Sequence, residues 1–380
     1  MNATVDPEAV GAVRAATRYA LASQRGNHVP PPDLRLADSE PFLFAARRHR
    51  VEPLLLACAD AVRLPSVIRT ELENDVRQER LETLVAARNL LAVLAALRAA
   101  GIRALAVKGV ALAVQTTGDF AARGVGDSDV WVHPADVEHA ILVLTKNGYR
   151  QRVGETISPA PTWNWRYSHW LGFEIVLEKG DHLVDLHWRL SALASGLPDF
   201  DSAWRRRGTV RIGDVDVPTL SLADAFVHSC RHAQWDEWAW VRNLVDVYRL
   251  AERLAHPVPW PGGSYAAIAR TLAITREQIG LPPNAPRTIL SEGARRGVLA
   301  IAENQQLIID PFTQRDYLSA GVRRIGVGLR TCRGASDVAR VIGREILPVW
   351  TVSGRILGEN PGIGKVAAMR IREVVGRLSR

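Results

Sequence analysis

Arg123-Gly124-Val125-Gly126-Asp127-Ser128-Asp129-Val130-Trp131-Val132 is the stretch on which the reading of this chain turns. Side chains alternate along an extended backbone, so Asp127 and Asp129 face the same way. Two carboxylates so placed can grip a hard cation with oxygen ligands. The pair follows a glycine-rich turn and precedes the apolar run Val130 to Val132, so it opens a strand.

Upstream, Ile102 to Val107 reads as a short apolar strand, and Lys108-Gly109 then starts a helix that runs to Val114 or Gln115. A strand feeding straight into a helix presents unpaired N–H groups and a positive dipole end beyond the strand, where phosphate is a natural occupant. Downstream, Pro134 opens a helix that Gly148 closes, and Tyr149 to Val153 can form a further strand. After the aromatic passage Trp163 to Trp170 comes a hairpin with arms Leu171–Leu177 and His182–Trp188 around Lys179-Gly180-Asp181. Alternation puts Leu183, Asp185 and His187 on one face of the second arm. Asp185 is thus a third carboxylate in a strand whose other face is apolar. A second hairpin, Thr209–Ile212 and Val215–Leu220, closes the α/β unit, and the helix cap Ser221-Leu222-Ala223-Asp224 follows it.

The flanks read as helices. Glu8–Ser23, Ser39–Arg63 and Ser66–Ala100 precede the first strand, the last with Leu81, Leu84, Leu90, Leu91, Leu94 and Leu97 as its apolar stripe. Ala225–Gln234, Trp238–Leu254 and further helices to about Leu307 follow the second hairpin. The expected organisation is a helical region over 1–100, an α/β core over 101–220, a helical domain over 221–310 and a basic tail over 311–380 of uncertain fold.

Composition bounds the alternatives. With 380 residues, 47% hydrophobic and 23% charged, the chain is expected to be a soluble globular protein of several units. No apolar run is long enough to span a membrane, and the start of the chain reads as no secretion signal, so the cytoplasm is expected. Cys58, Cys230 and Cys332 are too scattered for a disulfide framework or a metal knuckle. The net charge of +8 equals the excess of the tail, where thirteen basic residues face five acidic ones. That tail can bind nucleic acid or an anionic membrane face, or stay solvated.

Asp127, Asp129 and Asp185 together make a two-metal site for phosphoryl-centred displacement an expectation, with Mg²⁺ or Mn²⁺ clamping the attacking and leaving oxygens. Asp185 would hold the acceptor's metal and take its proton. Because like charges crowd there, Asp127→Asn or Asp129→Asn is expected to leave the fold intact or slightly stabilised. Arg123 reads equally well as a phosphate contact or as the partner of a carboxylate. His187 reads as a substrate or supporting contact, or as structural. His228 and His232, one turn apart, read as packing residues.

The runs Leu105 to Ala113, Arg123 to Val132 and Val184 to Leu190 resemble the bacterial nucleotidyltransferase family with a KGxALA … RxxGDxDxxV … DLHW pattern, within the DNA polymerase β-like superfamily. The resemblance spans Phe42 to about Leu250, where His228, His232, Trp240 and Asp246 match a downstream H…H…W…D stretch. It implies an α+β fold, a polymerase β-like core of mixed sheet and flanking helices between helical terminal regions. It also implies a metal triad at Asp127, Asp129 and Asp185 and an NTP donor whose phosphates meet Lys108, Gly109 and Arg123. Lys108-Gly109 stands where the superfamily usually has Gly-Ser, so a phosphate-touching hydroxyl is missing. The acceptor, whether small molecule, peptide or RNA, is not legible. A catalytically silent nucleotide- or partner-binding accessory protein is the competing reading. A sugar-nucleotide transferase is disfavoured, because there the apolar strand usually precedes the Asp-x-Asp.

Overall fold

The computed structural model describes residues 6–285 apart from 27, 28, 35, 37, 125, 153–162, 192–195 and 255–263, together with 308, 329, 332, 334–346, 364–366, 368, 369 and 372. Four helices come first: α1 (Pro7–Ser23), α2 (Ser39–His49), α3 (Glu52–Cys58) and α4 (Ser66–Ala99). Asp6 and Asp38 cap α1 and α2 by accepting from Glu8 N and Glu40 N. The long α4 has two parts. Ile68 and Leu72 are buried with α1–α3, and Leu90, Val93 and Leu97 are buried against the sheet. Leu81 and Leu84, assigned to the buried stripe from spacing, lie exposed between the two contact zones.

The sheet is mixed and seven-stranded, in the order β3-β4-β5-β2-β1-β7-β6. Its strands are β1 (Ala104–Ala106), β2 (Asp127–Val132), β3 (Arg150–Gln151), β4 (Glu174–Lys179), β5 (His182–His187), β6 (Gly208–Ile212) and β7 (Val215–Thr219). Antiparallel pairs join β1 to β2, β3 to β4, β4 to β5 and β6 to β7, while β2 with β5 and β1 with β7 run parallel. Between strands lie α5 (Gly109–Thr117), closed by Gly118 at φ 80°, α6 (Val137–Lys146), α7 (Trp163–Leu171) and α8 (Phe200–Arg205). The aromatic passage is therefore a helix, seated by Trp165 against Trp188 at the end of the hairpin and by the Trp188 indole donating to His169 O at 3.0 Å.

Period-two alternation gives the central strands two apolar faces. Val130, Val132, Val184 and Leu186 pack with α4 and α6. Leu105, Val107 and Trp131 pack with α9 (Leu222–Trp235), α10 (Val241–Arg253) and α11 (Tyr265–Ile279). Trp131 is fully buried with its ring edge-on to Phe200 at 5.2 Å, a burial worth about 2–3 kcal/mol. Helices before and after the sheet share one further core, in which Val10, Phe42 and Leu55 meet Ala233, Leu244 and Ile274. From the C-terminal stretch, α12 (Ala335–Ile346) rests on α7, where Tyr167 Oη donates to Gly343 O and Arg340 Nε to Trp170 O. Cys58 and Cys230 are buried free thiols, and Cys332 is half-buried. Among the described residues no helix is long and apolar enough to cross a membrane.

Candidate functional site

The in-register pairing of β2 and β5 sets Asp129 directly opposite Asp185, with Asp127 opposite Leu183 two residues earlier. Their neighbours Val130, Val184 and Leu186 point into the α4 side, so the carboxylates point toward α9. One ligand atom from each of Asp129, Asp185 and His187 falls within 4.8 Å of the others, a spacing suited to one divalent ion. Asp127 lines the same cavity just outside that cluster.

Lys108 ends the β1 segment and begins the turn into α5, and its ammonium lies 2.5 Å from Asp129 Oδ1. The same oxygen accepts from His187 Nε2 at 3.0 Å. On its other side His187 Nδ1 lies 3.2 Å from Glu174, which β4 places opposite it, and the ring stacks on Phe173. Burial alone would raise the Asp129 carboxyl, but Lys108 and His187 hold it well below the usual carboxylate range. The converse holds for the cations: burial pulls Lys108 and His187 down, and Asp129 draws both above their ordinary values. Asp185 differs. Burial, then the charges of Asp129 and Glu174, push it up to about 7.

A cavity of about 300 Å³ opens over this cluster. Its far wall is one face of α9, where His228, Arg231, His232 and Trp235 follow at helical spacing, and Arg242 of α10 joins them. Burial, then nearby Lys108, lowers His228 to about 3 and His232 well below its ordinary value, so both are neutral at pH 7. His228 Nε2 lies 3.2 Å from Leu190 O. Burial and Arg123 lower Arg242 only to about 10, which leaves it cationic. Its Nη1 donates weakly to Gly124 O at 3.4 Å, and its Nε is a buried donor with no hydrogen-bond partner among the described residues.

The remaining sequence-expected residues take distinct places. Arg123 lines the cavity but is gripped by Asp246 of α10 in a two-pronged pair at 3.0–3.1 Å, the carboxylate-partner alternative. Gly109 is buried at φ 50° under the turn and does not line the cavity. Its conformation lets Lys108 turn back to Asp129, which a side chain there would oppose. His228 and His232, read as packing residues, line the cavity because i, i+4 spacing puts both on the face of α9 that meets the sheet. Glu174, Arg231 and Arg242 escaped the sequence reading. Glu174 alone had a local signal, since hairpin register sets it across from His187. The setting of Asp129 argues against the stability expectation for Asp129→Asn, because its carboxylate faces Lys108 and His187 and raises the pKa of both, so its removal would leave Lys108 without that anion. Arg323, Arg324, Arg330 and Arg333 of the tail lie outside the described residues.

Residues 36–277 match the sequence family described as uncharacterised nucleotidyltransferase. The chain belongs to that family. No curated protein and no solved structure matches the chain. The matched span of this nucleotidyltransferase-family chain runs from before α2 to near the end of α11, so it takes in every strand and both walls of the cavity.

Proposed function

We propose that the chain is a cytoplasmic, divalent-metal-dependent nucleotidyltransferase with a polymerase β-like core, moving NMP from an NTP to an acceptor hydroxyl or phosphate. The observation that carries this reading is the register of β2 on β5, which puts Asp129 beside Asp185 beneath a cavity walled by cationic and neutral nitrogen groups. The donor set fits a divalent cation: two carboxylates and an imidazole converge, and Asp129 already attracts an ammonium. Asp127, Asp129 and Asp185 would hold Mg²⁺ or Mn²⁺, with His187 completing or steadying the set. When bound, the ion supplies charge neutralisation at the transferred phosphoryl and lowers the pKa of the acceptor hydroxyl.

The chain's own groups do the rest. Asp185, held near neutrality by its setting, is matched to accept the acceptor's proton. His187, between Asp129 and Glu174, fixes the Asp129 carboxylate. Arg242 and Arg231 face the cavity as donors toward phosphate oxygens. Arg123 holds the glycine-rich turn against α10 through Asp246.

A second reading, a catalytically silent nucleotide-binding module, is favoured by one observation: Lys108 already neutralises Asp129. Labelled ATP, GTP, CTP and UTP, each with Mg²⁺ or Mn²⁺ and with RNA, protein and small-molecule fractions as acceptors, separates the two. The transferase reading expects label in one fraction with matching pyrophosphate release, lost in Asp185→Ala. Nucleotide binding with no release in any combination overturns it.

A further inference from the structure

Asp129 Oδ1 accepts at once from Lys108 Nζ at 2.5 Å and His187 Nε2 at 3.0 Å. Both donors crowd that oxygen, and the Lys108 ammonium opposes a second cation by like charge whichever oxygen of Asp129 the ion takes. The two donors differ in freedom. His187 sits in the middle of the sheet on β5, stacked on Phe173 with Glu174 on its far nitrogen, and has two side-chain torsions. Lys108 hangs from the turn before α5 on a flexible four-carbon stem, with its ammonium at the cavity.

We infer that Lys108 is a built-in counter-cation that holds Asp129 in the metal-free protein and transfers its ammonium to the phosphates of the nucleotide when a divalent ion takes Asp129. The inference rests on the metal-dependent nucleotide reading above, but not on catalysis. An ammonium displaced within this site needs a new anion, because an unpaired buried charge is costly. Of the other carboxylates that line the cavity, Asp127 and Asp185 are the residues that the ion itself would engage, Glu174 lies 3.2 Å from His187 Nδ1, and Asp236 accepts from Asn243 Nδ2 at 2.7 Å. Arg242 is a further cation at the cavity, so the site holds an excess of positive charge once an ion is bound. A triphosphate supplies what is missing. Lys108 thereby acts as a positioning and coupling residue: a metal alone must displace it without compensation, whereas a metal arriving with nucleotide gives the ammonium somewhere to go. Coupling of this kind is reciprocal.

The test is Mn²⁺ binding without nucleotide, followed by electron paramagnetic resonance and calorimetry on the full chain, for wild type, Lys108→Met and Lys108→Arg. Removal of the competing charge should tighten Mn²⁺ binding in Lys108→Met by roughly ten- to a hundredfold, the size of a one- to two-unit electrostatic shift. Lys108→Arg keeps the cation and should bind Mn²⁺ no more tightly than wild type, and it keeps the test alive if Lys108→Met does not fold. Affinity for a non-hydrolysable Mn²⁺·ATP analogue should fall in Lys108→Met. Equal or weaker Mn²⁺ binding in Lys108→Met overturns the inference, as does Lys108→Arg binding Mn²⁺ tenfold more tightly than wild type. Because neither readout involves turnover, a chain that shows this exchange yet transfers no nucleotide would support the inference and defeat the transferase reading.

Discussion

Two regions of this molecule withdraw carboxylates from water, and they neutralise them in opposite ways. At the sheet end, Asp129 is met by Lys108 and His187 and stays ionised. In the seam between α3 and α4, Glu52 and Glu79 are buried near each other and near Asp75, and burial lifts them to about 8 and about 7. Each leaves one carboxylate oxygen, Oε2, buried without a hydrogen-bond partner among the described residues. A carboxylate kept charged by a displaceable cation is a ligand in waiting; one kept neutral by its surroundings is a structural acid. Asp185 stands between the two kinds, placed among the ligands but lifted by burial.

The largest test of that contrast is Asp129→Asn. It should abolish metal-dependent transfer and, in the metal-free chain, cost about 3–5 kcal/mol by stranding Lys108 and His187. Urea denaturation reads the stability loss, and Lys108→Met added to Asp129→Asn should recover a large part of it. If Asp129→Asn were as stable as wild type, the pair would contribute nothing and the two regions would not differ as described.

Asp185→Asn should act in the opposite sense on stability. An acid raised from 3.8 to about 7 binds a proton on folding, so its contribution is fullest below about pH 4 and is lost as pH rises through 7. At pH 8 the substitution should therefore stabilise the metal-free chain by about 2–4 kcal/mol, with little gain at pH 4. Transfer should fall by several orders of magnitude while nucleotide binding persists through Asp127 and Asp129, which equilibrium dialysis can measure. Loss of both activities together would show that the carboxylates are not divided in this way.

Glu52→Gln is the matching experiment in the other region. Its raised value gives the same sign: stability is present below about pH 4.5 and drains away as pH rises through 8. The variant should melt several degrees above wild type at pH 9, match it at pH 5 and bind Mn²⁺ unchanged, since nothing in that seam faces the cavity. A pH-independent shift would mean that packing, not charge, governs the site.

How much of this was legible in the sequence depends on how local the cause is. The period-two alternation of Asp127 and Asp129 and the apolar arm around Asp185 carried both the strands and the face they share. Lys108 was legible as a helix-start residue, but not its turn to Asp129, because that depends on β1 pairing with β2 across the whole of α5. The cavity wall of His228, Arg231, His232 and Arg242 depends on packing between elements about a hundred residues apart, which no local pattern encodes. Leu81 and Leu84 misled because the face that α4 buries in this stretch carries Thr83, Ala86 and Ala87, which leaves the two leucines on the outward side. Trp163 to Leu171 concealed a helix because aromatic residues and Asn are indifferent helix formers.

The smallest expected effect joins the two regions. A Cβ at Gly124 would lie 2.7 Å from Glu79 Oε1, so Gly124 is the point where the α4 acid presses on the turn that carries the Asp127 and Asp129 strand. Arg242 touches the same spot through Gly124 O and also draws the Glu79 carboxyl downward against burial. In Gly124→Ala the Glu79 carboxyl is the atom group that must move; being the end of a flexible chain, it can do so at a cost of about 1 kcal/mol, the lower end for overpacking. The displacement should loosen Arg242 and raise the KM for NTP a few-fold without changing kcat. In a Glu79→Ala background the three atoms nearest to the added methyl are gone, so the Gly124→Ala cost should vanish in a double-mutant cycle. A cost that persists there would place the strain in the backbone of the turn rather than in Glu79. The two carboxylate regions would then be independent, not mechanically linked through Gly124.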